Sequence, residues 1–155
     1  MDFDEIVANA IPYGDNFKDG DTLTIGEWSR IINQWAERKG WNKDLKDKVG
    51  DQFANFHSEI SEAWEEWRSG HKWNDVYYNF DLCNCGVPIG HVGTLELHSP
   101  GCPGTKPEGI PIELADTVIR ILHTCGFYGI DLEGMIKLKM MFNETREIRH
   151  GGKRA

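Results

Sequence analysis

Residues 49–70 read VGDQFANFHSEISEAWEEWRSG. The apolar positions Val49, Phe53, Phe56, Ile60, Trp64 and Trp67 recur at steps of four, three, four, four and three, the period of a helix and not that of a strand. The pattern predicts an amphipathic helix whose stripe faces the core and which stops at Gly70. At about 100° per residue, Glu59, Glu62 and Glu66 share one flank of this helix, beside the stripe and not opposite it.

Residues 112–122, IELADTVIRIL, repeat that geometry. Pro111 suits a first helical turn, Leu114, Val118, Ile121 and Cys125 form the predicted buried stripe, and the helix should end near Gly126. Glu113 and Asp116 then fall on the flank that matches Glu59 and Glu62. Taken singly, either acidic pair is an ordinary solvated face. Two helices packed through their stripes would gather Glu59, Glu62, Glu113 and Asp116 around one point. Four like charges so placed repel unless a cation neutralises them, and hard oxygen ligands suit Mg²⁺, or Mn²⁺ as an alternative.

Towards the N-terminus, Thr24-Ile25-Gly26-Glu27 fits a capping box, and Trp28, Ile31, Ile32 and Trp35 make a stripe that stops at Gly40. Residues 1–22 read as a loosely packed lead-in. Trp28, Trp35, Trp64 and Trp67 are expected to pack in the core, Trp41 is freer to border a site, and Asn33 and Gln34 could read a base edge. Towards the C-terminus, Asp131 should cap a fourth helix running through Leu132, Met135, Ile136 and Phe142 to about Arg149, with Gly151-Gly152 as its stop. On that helix Lys139, Asn143, Arg146 and His150 continue the line begun by Leu132, Met135 and Ile136. A face that turns from apolar to cationic midway suggests a pocket wall, where Arg would grip phosphate oxygens by its fork and Lys as a point charge.

The chain of 155 residues is expected to form one all-α domain, residues 1–155, with about four main helices. Its 39% hydrophobic content, counted with Tyr and without Gly, is ordinary for a folded chain. No apolar run approaches the ~18 residues of a membrane helix and the start lacks a signal-peptide pattern, so a cytoplasmic protein with no membrane partner is expected. The net charge of −8 argues against a broad nucleic-acid surface. From Lys139 onward, however, Lys139, Arg146, Arg149, Lys153 and Arg154 outweigh Glu144 and Glu147, an acceptable place for an anion to dock.

Residues of about 71–109 break the helical pattern and read as an irregular insertion between helices two and three, with a short strand at residues 92–97. Cys83, Cys85, His91, His98 and Cys102 offer five ligands within 20 residues. Zn²⁺ would suit Cys83, Cys85 and Cys102 with His91 or His98; reduced thiols without a metal are the simpler account. Cys125 sits on an apolar stripe and reads as core.

Together, Glu59-x-x-Glu62, Glu113-x-x-Asp116 within IELADTVIRIL, and Lys139-x-x-x-Asn143-x-x-Arg146 followed by HGGK resemble the MazG-like all-alpha nucleoside triphosphate pyrophosphohydrolases. The resemblance covers roughly residues 24–154 apart from the insertion. It implies Mg²⁺ held by Glu59, Glu62, Glu113 and Asp116, which are also the catalytic set. It implies as well a nucleoside triphosphate substrate contacted by Lys139, Asn143 and Arg146 and cleaved between its alpha and beta phosphates, and a homodimer or dimer of dimers. Glu62 and Glu113 are 51 positions apart, more than is common in the family, so the insertion carries no implied role. A di-iron bundle would need Glu-x-x-His on two helices, which Glu62 and Asp116 exclude. The remaining alternative is a zinc-stabilised nucleotide-binding or regulatory protein with no turnover.

Overall fold

A computed structural model describes residues 22–46, 48–78 and 106–146. The described residues are mostly helical: α1 spans Ile25–Arg38, the short α2 Asn42–Leu45, α3 Val49–Arg68, α4 Ile110–Tyr128 and α5 Leu132–Glu144. The expected all-α character holds, with one addition. Two-residue strands β1, Tyr77–Tyr78, and β2, Pro107–Glu108, pair antiparallel with Tyr77 opposite Glu108 and Tyr78 opposite Pro107. This ladder joins the two ends of the segment that carries the Cys and His residues. Cys83, Cys85, His91, His98 and Cys102, the strand expected at residues 92–97 and the lead-in up to residue 21 lie outside the described residues.

The chain divides into two compact units, Met1–Val49 with Ile121–Ala155, and Gly50–Arg120. In the first unit, α1 begins as its sequence dictates. The Thr24 side chain accepts from the Glu27 backbone N–H, and the Glu27 carboxylate accepts from the Thr24 N–H at 2.7 Å. That backbone donor, with the Thr24 hydroxyl, holds the Glu27 carboxyl below its usual range. Gly40, at φ 81, follows the helix.

Among the described residues of this unit, Ile31, Ile32, Ala36, Leu45, Leu122 and Cys125 are the buried apolar ones. The α1 and α4 backbones meet at Gly126, where an added Cβ would lie 2.6 Å from the Ser29 carbonyl oxygen and 2.8 Å from Asn33 Cβ. The Ser29 hydroxyl donates to the Leu122 carbonyl at 2.8 Å beside this contact. Buried His123 and the amide of Asn42 lie 2.6 Å apart, and Asn42 donates in turn to Asn33 at 3.2 Å. Asn33 thus accepts within an internal polar chain. Trp41 is half exposed, as expected, and packs edge-on against Trp35 with ring centroids 4.6 Å apart.

Helix α5 is capped by Asp131, whose carboxylate accepts from the Gly134 N–H at 2.9 Å. It buries none of its residues, and it ends at Glu144 instead of about Arg149. The Thr145 N–H closes the last turn on the Phe142 carbonyl, and the Thr145 hydroxyl also donates to it.

In the second unit the expected faces are displaced. Phe53, Ile60, Trp64 and Trp67 are about half exposed, and Glu59 and Ala63 are the buried residues of α3. On α4, Leu114 and Val118 are exposed while Ile110, Glu113 and Thr117 are buried. The helix periods are as read, but within one chain the buried line runs along the flank that carries the acids. Trp64 and Trp67, expected as core, stack on each other with ring centroids 4.8 Å apart at 54% and 46% exposure.

Candidate metal centre

Helix α4 starts at a turn that only glycine fits. Gly109 has φ 116, and a Cβ there would collide with the Asp75 carbonyl oxygen. The Gly109 carbonyl then accepts from the N–H groups of Ile112, at 2.9 Å, and Glu113, at 3.2 Å. Glu113 is thereby fixed in the first turn, where the positive end of the helix favours a carboxylate. Asp116 follows on the same face, and the Thr117 hydroxyl donates to the Glu113 carbonyl one turn on.

Across from it, α3 contributes Glu59. One carboxylate oxygen from each of Glu59, Glu113 and Asp116 lies within 4.8 Å of the others, with Glu59 and Glu113 buried and Asp116 half-buried. Burial, first, and then the charges of Glu62, Asp116 and Glu108 push the Glu113 carboxyl above its ordinary value, against the lowering effect of Lys106. Glu113 thus carries its negative charge at a cost. Three carboxylate oxygens converging in this way could hold a metal ion.

Glu62 stands apart from this group. It is exposed and accepts from the Ser58 hydroxyl at 3.2 Å, yet it is near enough to raise the Glu113 carboxyl. The four expected acids therefore separate into a convergent three and one neighbour open to solvent. Two cations attend the group that the sequence reading missed. Arg120 Nη2 is 2.7 Å from Glu59 Oε1, and Lys106 pairs with Glu108 at 3.1 Å. That bond, above all, holds the Lys106 ammonium above its usual value, with further help from Glu113 and Glu62. Arg120 could have been found: it lies seven and four positions after Glu113 and Asp116, on their flank. Lys106 could not, because it precedes the helix, beside β2, where helical periodicity says nothing of its direction.

A second polar cluster closes the same unit. The Tyr77 hydroxyl lies 3.1 Å from both Glu66 carboxylate oxygens, and the His71 ring stacks on Tyr77 with centroids 4.6 Å apart. Burial and Glu66 raise the Tyr77 phenol, which keeps its proton and ties β1 to the end of α3. Glu66 is thus a structural partner.

Lys139, Asn143 and Arg146 belong to the other unit. All three are exposed, so their cost of burial, expected from the apolar stripe, does not arise. The Lys139 ammonium sits 5.0 Å from the Phe142 ring centroid. Arg146 lies past the helix end, its N–H bonded to the Asn143 carbonyl at 3.1 Å, and does not extend the helical line. Cys125 is buried as expected, which pushes its thiol pKa up. No helix among the described residues is long and apolar enough to cross a membrane. No family model, curated protein or solved structure matches the chain.

Proposed function

We propose that the chain is a divalent-metal-dependent nucleotide pyrophosphohydrolase of the MazG-like kind, converting a nucleoside triphosphate and water to the monophosphate and pyrophosphate. The observation that carries this reading is the convergence of Glu59, Glu113 and Asp116, drawn from two helices widely separated in sequence, at donor separations within 4.8 Å. Glu59 is paired with Arg120, while burial at Glu113 makes its charge costly and a cation there favourable. Glu59, Glu113 and Asp116 would hold Mg²⁺ or Mn²⁺. When bound, the ion neutralises phosphate charge and makes a water more acidic.

The chain's own groups divide the remaining work. Glu62, outside the convergent three and open to solvent, orients the attacking water and takes its proton. The water oxygen forms a bond to the alpha phosphorus, the bond from that phosphorus to the bridging oxygen breaks, and pyrophosphate leaves. Lys139, Asn143 and Arg146 contact the phosphates, a role that follows from the family resemblance and from the positive balance of their segment. The half-exposed apolar stripe of Val49, Phe53, Ile60, Trp64 and Trp67 supports self-association, in keeping with the homodimer or dimer of dimers that the resemblance implies.

The test is a panel of ribo- and deoxyribonucleoside triphosphates incubated with Mg²⁺, with phosphate detected by malachite green with and without added inorganic pyrophosphatase. Signal that needs the added pyrophosphatase supports the reading. Absence of signal across the panel, or orthophosphate released directly, overturns it.

A further inference from the structure

Helices α3 and α4 run antiparallel within their unit. Arg120, near the middle of α4, pairs with Glu59, while the charge of Glu62, further along α3, acts on Glu113 at the start of α4. At about 100° per residue, the apolar stripe lies about 80 to 90° from the buried line, turned the same way on both helices. In an antiparallel pair a shared sense of rotation puts both stripes on one side. Phe53, Ile60, Trp64 and Trp67 of α3 therefore share a face with Leu114 and Val118 of α4, each between 45% and 59% exposed.

The area of this face suits one occupant. Aromatic side chains carry about 150 to 250 Å² and aliphatic ones less, so six half-exposed residues leave on the order of 500 Å² of apolar surface in water. One side of a standard homodimer buries about 800 Å², of which about 65% is apolar, and the two figures agree. Its charge suits the same occupant. Two copies of net charge −8 repel, but Asp51, Glu62 and Glu65 lie on the far side of α3 from the stripe. The spacing supplies the register. Phe53 and Phe56 meet edge-on with ring centroids 5.6 Å apart, and Trp64 and Trp67 stack at 4.8 Å. These pairs stand seven and four positions before Ile60, and four and seven positions after it. A half-turn about an axis through Ile60, perpendicular to the helix, lays the stripe on itself.

We propose that this face joins two copies of the chain about a two-fold axis through Ile60. Each Phe53–Phe56 pair then packs against the second copy's Trp64–Trp67 pair, with Phe53 opposite Trp67 and Ile60 opposite Ile60. This pairing rests on the self-association put forward above, whose face and register it fixes, and uses none of the metal chemistry.

The experiment is light scattering coupled to size exclusion on full-length protein, with circular dichroism to check that each variant folds. Phe53→Lys and Trp67→Glu should each weaken association about tenfold or more, because each buries an unpaired charge in the contact. Mixed in equal amounts, the two variants should recover the parent mass, since the new ammonium of one faces the new carboxylate of the other. Phe53→Lys mixed with Phe53→Glu should not recover it, because those positions lie about 21 Å apart at about 1.5 Å per residue. Ile60→Cys joined by a short bis-maleimide, with the linked peptides mapped, reads the same register if a charged variant does not fold; linkage between the two substituted positions supports it. No recovery in the first mixture, equal recovery in both, or no such linkage overturns the register and leaves self-association standing. A monomeric parent overturns both and gives the face to another part of the chain or to a different protein.

Discussion

Replacing Glu113 by Gln removes a charge that the metal-free chain holds at a cost. Glu113 is 3% exposed, and carboxylate oxygens of Glu59 and Asp116 lie within 4.8 Å. Two unit charges at that separation repel by about 3.5 kcal/mol at an effective dielectric constant of about 20. Arg120 neutralises Glu59, which leaves Asp116 as the main unbalanced neighbour, and Lys106 offsets part of its effect. About 1 to 2 kcal/mol should remain near neutral pH.

For a chain of this size each kcal/mol moves the melting temperature by about 2 to 4 °C, so Glu113→Gln in chelator should melt about 2 to 8 °C above the parent. With Mn²⁺ at about a hundred times its Kd, the parent gains about 2.7 kcal/mol and the order reverses, because the variant has lost a ligand. Thermal unfolding followed by far-ultraviolet circular dichroism, with chelator and then with Mn²⁺, reads both effects. A variant less stable than the parent in chelator, and shifted equally by Mn²⁺, would refute the reasoning and make Glu113 an ordinary buried side chain.

Four further outcomes are expected. In chelator, the raised Glu113 carboxyl makes the folded state bind more protons than the unfolded state between the ordinary carboxylate range and its raised value; stability should fall as pH rises through that window, and saturating Mn²⁺ should abolish the slope, measured by urea unfolding. Gly126→Ala should destabilise by about 1 to 3 kcal/mol, because its Cβ would lie 2.6 Å from the Ser29 carbonyl oxygen between two packed helices; urea unfolding within about 0.5 kcal/mol of the parent would count against that close approach. Lys139→Met and Arg146→Met should each weaken nucleotide binding about ten- to a hundredfold, by calorimetry with Ca²⁺, and affinities within about twofold of the parent would remove them from the site. Light scattering coupled to size exclusion should give at least a dimer mass, and Phe53→Glu or Trp64→Glu on the exposed stripe should lower it.

The local signals in the sequence were legible because neighbouring residues satisfy them. Thr24 and Glu27 cap α1, Asp131 caps α5, and Gly40 and Gly70 follow the helices they were expected to stop. The phase of burial was not legible. Periodicity shows that Val49, Phe53, Ile60 and Trp64 share a face, but it does not say what covers that face, and within one chain these side chains stay about half exposed. The same limit applies to Leu114 and Val118, which lie outside the buried line of Ile110, Glu113 and Thr117.

The end of α5 was overestimated because the capping of its last turn by Thr145 carries no strong sequence signal. Of the four acids expected to gather, Glu59, Glu113 and Asp116 converge from two helices and Glu62 does not join them. Which acid would stand apart, and which cations would join the group, depends on the packing of α3 against α4 and on the β1–β2 ladder. Arg120 shares the flank of Glu113 and Asp116 and was within reach of the wheel of its own helix, whereas Lys106 lies before that helix and no wheel shows it.

The central claim is hydrolysis between the alpha and beta phosphates through the carboxylate group, and phosphorus NMR of a nucleoside triphosphate incubated with Mg²⁺ in ¹⁸O-enriched water tests it most directly. The account predicts equal amounts of monophosphate and pyrophosphate, with the isotope shift on the monophosphate alone, and loss of turnover in Asp116→Asn with its helical spectrum unchanged. Label in the pyrophosphate, release of orthophosphate with a diphosphate, or undiminished turnover by Asp116→Asn would contradict it.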